Sequence, residues 1–216
     1  MTGAMTHERT QIFVDFLNKI HREGRISKYT LELFVDAARM LCGGALRFFQ
    51  LIRLEPKESF KEDVDEKGNK VLFMEIVARA AEKREATNSA PTVDNKQVHP
   101  LYREHVLDII KRRGHNTYLF HDFPAHRQEF ANLIKECAVN EHWPVEHRFS
   151  GTHMFRHGAA QDAHKEGKLD EKEANLMRRQ EKSSVMTSTR RLLKRVKKLL
   201  KQEIILLLEQ TVKRLR

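Results

Sequence analysis

Apolar side chains recur at helical spacing along most of the chain. Ile12, Phe13, Phe16, Leu17 and Ile20 predict a helix over residues 11–20, after a loose end at residues 1–6. Gly24 interrupts the pattern. Ser27, or else Thr30, is the N-cap candidate of a second helix carrying Leu31, Leu33, Phe34, Ala37, Ala38 and Leu41. Gly43-Gly44 breaks it. The next ten residues, ALRFFQLIRL, predict a third, buried helix with Arg47 at its start. Residues 55–70 are charged and read as a loop, with a turn signal at Lys67-Gly68-Asn69. The pattern then changes: VLFMEIVA at 71–78 predicts a strand, and KQVHPL at 96–101 a second one ended by Pro100. Helical spacing returns over 101–113, closed by Gly114, and over 127–139. Tyr118-Leu119-Phe120 is a short apolar run between them. Trp143-Pro144 and Ser150-Gly151 mark loops. Thr152 is the N-cap candidate of a helix starting at His153, and 169–180 continues as helix. Residues 190–216 predict a long amphipathic helix. There Leu193, Leu200 and Leu207 repeat at seven, as do Leu192, Leu199 and Leu206. Val196, Ile204, Ile205 and Leu208 broaden the stripe, so this helix is expected to pack on the body or on a neighbouring protomer.

These elements predict a mainly α protein with a small antiparallel β-sheet, an α+β fold. The expected divisions are an N-terminal helix or remnant linker at 1–26, a principal domain at 27–192 and a basic C-terminal helix at 193–216. With 216 residues, 40% of them apolar, the chain can bury one sizeable core. Nothing reads as a secretory or membrane-spanning segment. Cys42 and Cys137 make no paired motif, which predicts two buried thiols and an intracellular, reducing setting.

The net charge of +10 is unevenly placed. Residues 178–216 hold 13 Lys/Arg and 3 Asp/Glu, so the rest of the chain is neutral. A basic tail predicts an acidic partner, with Arg190, Arg191, Lys194, Arg195, Lys197 and Lys198 as candidate nucleic-acid contacts. The plainer reading is a solvated helix face.

Three motif regions carry the candidate chemistry. His153 and Arg156, in THMFRHGAA, are three residues apart and share a helix face, so both can reach one phosphate. Arg47 stands in Ala45-Leu46-Arg47, followed by Leu51 and Leu54; an arginine in so apolar a stretch needs a partner. Between them runs VHPLYREHVLDIIKRRG…TYLF. In this order the three regions resemble the catalytic domain of the tyrosine recombinases, the phage-integrase family of DNA strand-transferases. The match extends over roughly residues 30 to 192 and departs at Gln50, where the family usually has glutamate.

The resemblance implies that Arg47 and Arg156 clamp the non-bridging oxygens of a DNA phosphate and that His153 assists. It also implies a lysine from a β-hairpin as general acid, for which Lys83 and Lys96 are the candidates. It implies double-stranded DNA as partner, no metal or other cofactor, and a C-terminal helix docking on a neighbouring protomer. DNA recombination or integration, in a degenerate or mobile-element-derived form, is the expected role. The setting would be nuclear in a eukaryote, or cytoplasm and nucleoid in a bacterium or phage. Because only about 25 residues precede the resemblance, the family's separate N-terminal DNA clamp is expected to be missing or to be supplied by another part of a larger protein.

The nucleophile is missing from its usual place. The family pattern Leu-Gly-His, a Thr pair and then Tyr falls on residues 176–193, LMRRQEKSSVMTSTRRLL. Ser183 stands at the histidine position, Ser188-Thr189 at the threonine pair and Leu192 at the tyrosine. The three tyrosines are Tyr29, Tyr102 and Tyr118. A serine or threonine hydroxyl from this stretch would be a poor phosphate nucleophile. Three readings therefore stand. One is a recombinase-like domain that has lost cleavage. Another is a divergent integrase whose tyrosine lies elsewhere. The last is a non-catalytic helical adaptor, or a DNA- or RNA-binding protein, with a basic tail. His153, His157 and His164 share a face, but Met154 stands where a metalloprotease would need its glutamate, so no metal is expected there.

Overall fold

The computed structural model describes residues 3–65, 68–77, 93–144, 149 and 151–167. All of them belong to the compact unit Met1–Leu169. Two long helices open it. Helix α1 (His7–Arg22) starts at Thr6, whose hydroxyl accepts the Arg9 amide. Helix α2 (Lys28–Gly43) starts at Ser27, whose hydroxyl accepts the Thr30 amide at 3.0 Å. The sequence had left Ser27 and Thr30 open; Ser27 is the cap. A one-turn helix α3 (Phe48–Leu51) follows, then strands β1 (Phe60–Val64), β2 (Lys70–Val77) and β3 (Val93–Gln97). After a 3₁₀ turn at Pro100–Tyr102 come α4 (Arg103–Arg113), α5 (Phe123–Asn140) and α6 (His153–Lys165).

The strands form an antiparallel sheet in the order β1-β2-β3, with Phe60 opposite Met74 and Met74 opposite Lys96. The mainly helical fold with a small antiparallel sheet is as expected. The apolar faces of α1, α2, α5 and α6 meet in one core. Phe13, Phe34, Phe123, Phe130 and Phe155 are among its fully buried side chains. Burying each such ring stabilises the fold by roughly 1.5–3 kcal/mol.

Several local expectations are corrected. Residues 3–6 are not a loose end: all four are buried, and the Met5 amide donates to the Met154 carbonyl at 2.9 Å. Their apolar or small side chains fill the groove beside α6. The charged segment 55–70 is not all loop, because it contains β1. Four of the five β1 residues are exposed, so as an edge strand it carries charge at no desolvation cost, which hid it from the apolar pattern. The third helix is one turn long rather than ten residues, since the apolar density of 45–54 belongs to a turn packed on α2. The strand expected at 96–101 lies at 93–97, and Pro100 opens a 3₁₀ turn. Helix α5 begins a turn earlier than its periodicity suggests, with Pro124 in its first turn, where a missing amide is harmless. Thr152 holds the N-cap position of α6, but its hydroxyl makes no capping bond.

A buried charge network joins three of the helices. Asp36 on α2, 2% exposed, accepts from the Arg112 guanidinium at 2.8 and 3.1 Å and from Arg113 Nε at 3.0 Å. Arg113 continues to Asp122 at 3.3 Å, and the Tyr29 hydroxyl donates to the same carboxylate. This network ties α2, α4 and the start of α5 together. Both cysteines are free and buried, as expected, and burial pushes the Cys42 thiol up to about 11 and Cys137 up to about 12. Among the described residues, no helix is long and apolar enough to cross a membrane.

Candidate functional site

The turn that presents Arg47 is shaped by small residues. A Cβ on Gly44 would lie 2.1 Å from Met74 Cε, so any larger residue there would make the flexible Met74 side chain turn aside. Ala45 then takes φ of 48°, a left-handed conformation that costs a non-glycine residue roughly 1–2 kcal/mol. The Leu46 amide donates back to the Leu41 carbonyl at 3.1 Å, and Leu46 is fully buried. Arg47 is held between a buried leucine and the one-turn helix. Its backbone is extended, at φ −88° and ψ 160°, as an N-cap residue should be. The buried Gln50 side chain accepts the Arg47 amide at 2.9 Å. Gln50 thus does structural work, closing the helix start on Arg47. The Arg47 side chain is half-buried with its Nε screened from solvent.

Strand β3 delivers a lysine to the same turn. Met74 and Lys96 are direct partners across β2 and β3, so their side chains share a sheet face. Met74 covers Gly44, and Lys96 Nζ donates to the Ala45 carbonyl at 3.2 Å. The ammonium therefore sits two residues from Arg47 along the chain, half-buried. Lys83 falls outside the described residues, as do Arg190, Arg191, Lys194, Arg195, Lys197 and Lys198.

His153 and Arg156 lie on the first turn of α6. His153 is exposed, whereas Arg156 is half-buried with Nε screened from solvent. The helix is fixed from both sides of Arg156. Met154 and Phe155 are fully buried, and Gly158 lies against the backbone of the N-terminal segment. A Cβ there would be 1.8 Å from the Met5 carbonyl oxygen.

One aromatic cluster supports both arginines. Phe48, the residue after Arg47, packs on Phe123 with ring centroids 6.0 Å apart. Phe123 meets Phe130 edge-on at 5.1 Å, and Phe130 stacks with Phe155, the residue before Arg156, at 6.0 Å. Such contacts each add about 0.5–1.5 kcal/mol beyond area burial. The α3 turn and the first turn of α6 are thus anchored in the same rigid core. The exposed Arg127 guanidinium lies over Phe48, 4.1 Å from its centroid, placing a further cation on the residue next to Arg47 in sequence. The sequence reading missed Arg127; its helical spacing marked only a surface position.

The three tyrosines have distinct fates. Tyr29 gives its hydroxyl to Asp122, which holds its proton on more tightly than usual. Tyr102 is buried, and burial raises it further still. Neither is poised to ionise and attack. Tyr118 is part-exposed, in the turn before α5.

No family model matches this chain, and no curated protein matches it. Solved structures do match by fold. The XerH site-specific recombinase bound to difH substrate, in a pre-cleavage complex, superposes with a TM-score of 0.52 at 12% identity, over 77% of this chain and 44% of that one. The same recombinase on palindromic difH substrate, in a post-cleavage complex, also gives 0.52 at 12% identity, over 86% of this chain and 52% of that one. This chain therefore spans about half the length of these recombinases. At such identity the likeness is one of fold alone: the chain shares a distant architecture with these site-specific recombinases.

Proposed function

We propose that this chain is a DNA-binding, recombinase-like domain that grips backbone phosphate with Arg47, Arg156 and Lys96 and does not itself cleave. The observation that carries the reading is Lys96 Nζ on the Ala45 carbonyl, beside Arg47, in a fold similar to that of DNA-bound recombinases. Rigid guanidinium forks match the paired non-bridging oxygens of a phosphodiester, and a lysine supplies a point charge to a third oxygen. His153, exposed on the same helix as Arg156, is placed to add a hydrogen bond from solvent side. Lys83 remains the second candidate lysine. The tail residues Arg190, Arg191, Lys194, Arg195, Lys197 and Lys198 would add non-specific attraction to duplex DNA. The C-terminal helix is the proposed surface for a second copy of the chain.

The reading that this chain does not cleave is supported by Leu192 standing at the family's tyrosine position and by the raised hydroxyls of Tyr29 and Tyr102. Two arginines without a nucleophile bind a phosphate but do not break it. The test is electrophoretic mobility shift with duplex DNA, followed by a suicide substrate that traps covalent protein–DNA adducts. The proposal expects a shift that R47A and R156A each weaken, and no adduct. Absence of any shift would favour a helical adaptor, and a mapped adduct would restore strand transfer and name its nucleophile.

A further inference from the structure

A second cluster lies at the opposite end of α6 from Arg156. His7 opens α1, His99 caps the 3₁₀ turn after β3, and Glu166 ends α6. Residues 7, 99 and 166 are remote in sequence, yet one ligand atom from each lies within 4.8 Å of the others. The His7 and His99 rings are 4.2 Å apart. His99 Nε2 is 3.2 and 3.3 Å from the two Glu166 carboxylate oxygens. That spacing is close to the roughly 3.3 Å separating two ligands of a tetrahedral ion at about 2.0–2.1 Å.

We infer that His7, His99 and Glu166 form a binding site for a divalent transition-metal ion of the zinc class. Two imidazoles and a carboxylate are a borderline donor set that suits Zn²⁺ better than Mg²⁺ or Ca²⁺. The surroundings supply the outer hydrogen bonds such a site needs. His7 Nδ1 is 3.3 Å from the Tyr102 hydroxyl, an outer hydrogen bond that would orient the ring for ligation through Nε2. The Asp162 carboxylate accepts the His7 amide at 2.7 Å and stands 3.6 Å from His7 Nε2, so it holds His7 in place. His99 Nδ1 presently accepts the Leu101 amide at 3.3 Å. Ligation through Nε2 moves the ring proton to Nδ1, so that long contact is exchanged for water beside the exposed Leu101. The Glu166 side chain is about one-third exposed, which gives the ion an entry path and a fourth position for water. The bound ion would pin the start of α1, the exit of β3 and the end of α6 to one point. Cys42 Sγ lies 3.4 Å from His7 Nδ1, at the ring nitrogen opposite the one offered to the ion.

The test is Zn²⁺ titration of the whole metal-free chain by calorimetry, with Co²⁺ absorption and thermal melting alongside. The inference expects one tight equivalent, tetrahedral Co²⁺ bands without thiolate charge transfer, and a raised melting temperature. His99→Asn keeps an acceptor for Leu101, and Glu166→Gln keeps the shape; each should weaken binding by more than about tenfold, since changes to outer hydrogen bonds alone are worth about 10–100-fold. Both variants should keep the fluorescence of Trp143, showing an intact fold. Failure of the wild-type chain to take up one equivalent would overturn the inference. So would binding that survives both substitutions, which would place the ion elsewhere, such as on His153 and His157. None of these readouts involves DNA.

Discussion

Gly158→Ala tests the packing that holds Arg156 in place. In an unobstructed helix interior, alanine is favoured over glycine by about 1 kcal/mol. Here the new Cβ would lie 1.8 Å from the Met5 oxygen, 2.0 Å from the Met5 carbonyl carbon and 2.5 Å from the Thr6 amide nitrogen. These are backbone atoms, so no side-chain rotation relieves the contact. The N-terminal segment must leave the groove or α6 must tilt. Leaving exposes Met5, now fully buried, at a cost of about 1.5–3 kcal/mol. It also breaks the amide bond from Met5 to Met154, worth about 1 kcal/mol. Against the helix gain, the net is a loss of about 1.5–3 kcal/mol. Urea denaturation followed by Trp143 fluorescence reads it well. This is the sole tryptophan, packed on Phe149 and under Arg9 of α1, so it senses the same region. The midpoint should fall by about 1 M, given a slope of about 1–3 kcal/mol per molar. An unchanged or raised midpoint would refute the docking of residues 3–6 on α6.

Other outcomes follow from the same geometry. Asp36→Ala removes the buried carboxylate that Arg112 and Arg113 share, leaving Arg113 with Asp122 alone, and should destabilise by about 3 kcal/mol, the low end for breaking a buried pair, measured by the same denaturation. Burial pushes the Asp122 carboxyl up, but the Tyr29 hydroxyl and Arg113 outweigh it and hold it below its ordinary 3.8. A depressed carboxylate contributes stability that is present above its unfolded value and lost as pH falls through the folded one. The stability gap between wild type and Asp122→Asn should therefore shrink below pH 3.8 in acid titration; a gap independent of pH would contradict the pairing. Lys96→Met should weaken duplex binding while leaving melting temperature nearly unchanged, because its head group is only half-buried.

Much of this fold was readable because the core helices are amphipathic and punctuated. Ser27, Gly43-Gly44 and Gly114 mark boundaries through local backbone chemistry, which sequence carries directly. Strand β1 was not readable, since FKEDV is held by ladder bonds to β2 and its side chains face water. The candidate site was half legible. Arg47, His153 and Arg156 stood out by spacing and resemblance, but where Lys96 sits depended on strand register. Only pairing with Met74 directs Lys96 toward the Ala45 turn. Gln50, an apparent departure, turned out to close α3 on Arg47. The cluster of His7, His99 and Glu166 has no local signal, because three separate elements meet there only in the folded chain.

Salt dependence of duplex-DNA binding tests the phosphate clamp most directly. The affinity of the wild-type chain, measured by fluorescence anisotropy, should fall linearly on a log–log scale as salt rises, because each neutralised phosphate releases counterions. Arg47→Ala and Arg156→Ala should each lower affinity across unrelated duplex sequences and reduce the slope by about 1. Slopes identical to wild type in both variants, or binding indifferent to salt, would contradict the account.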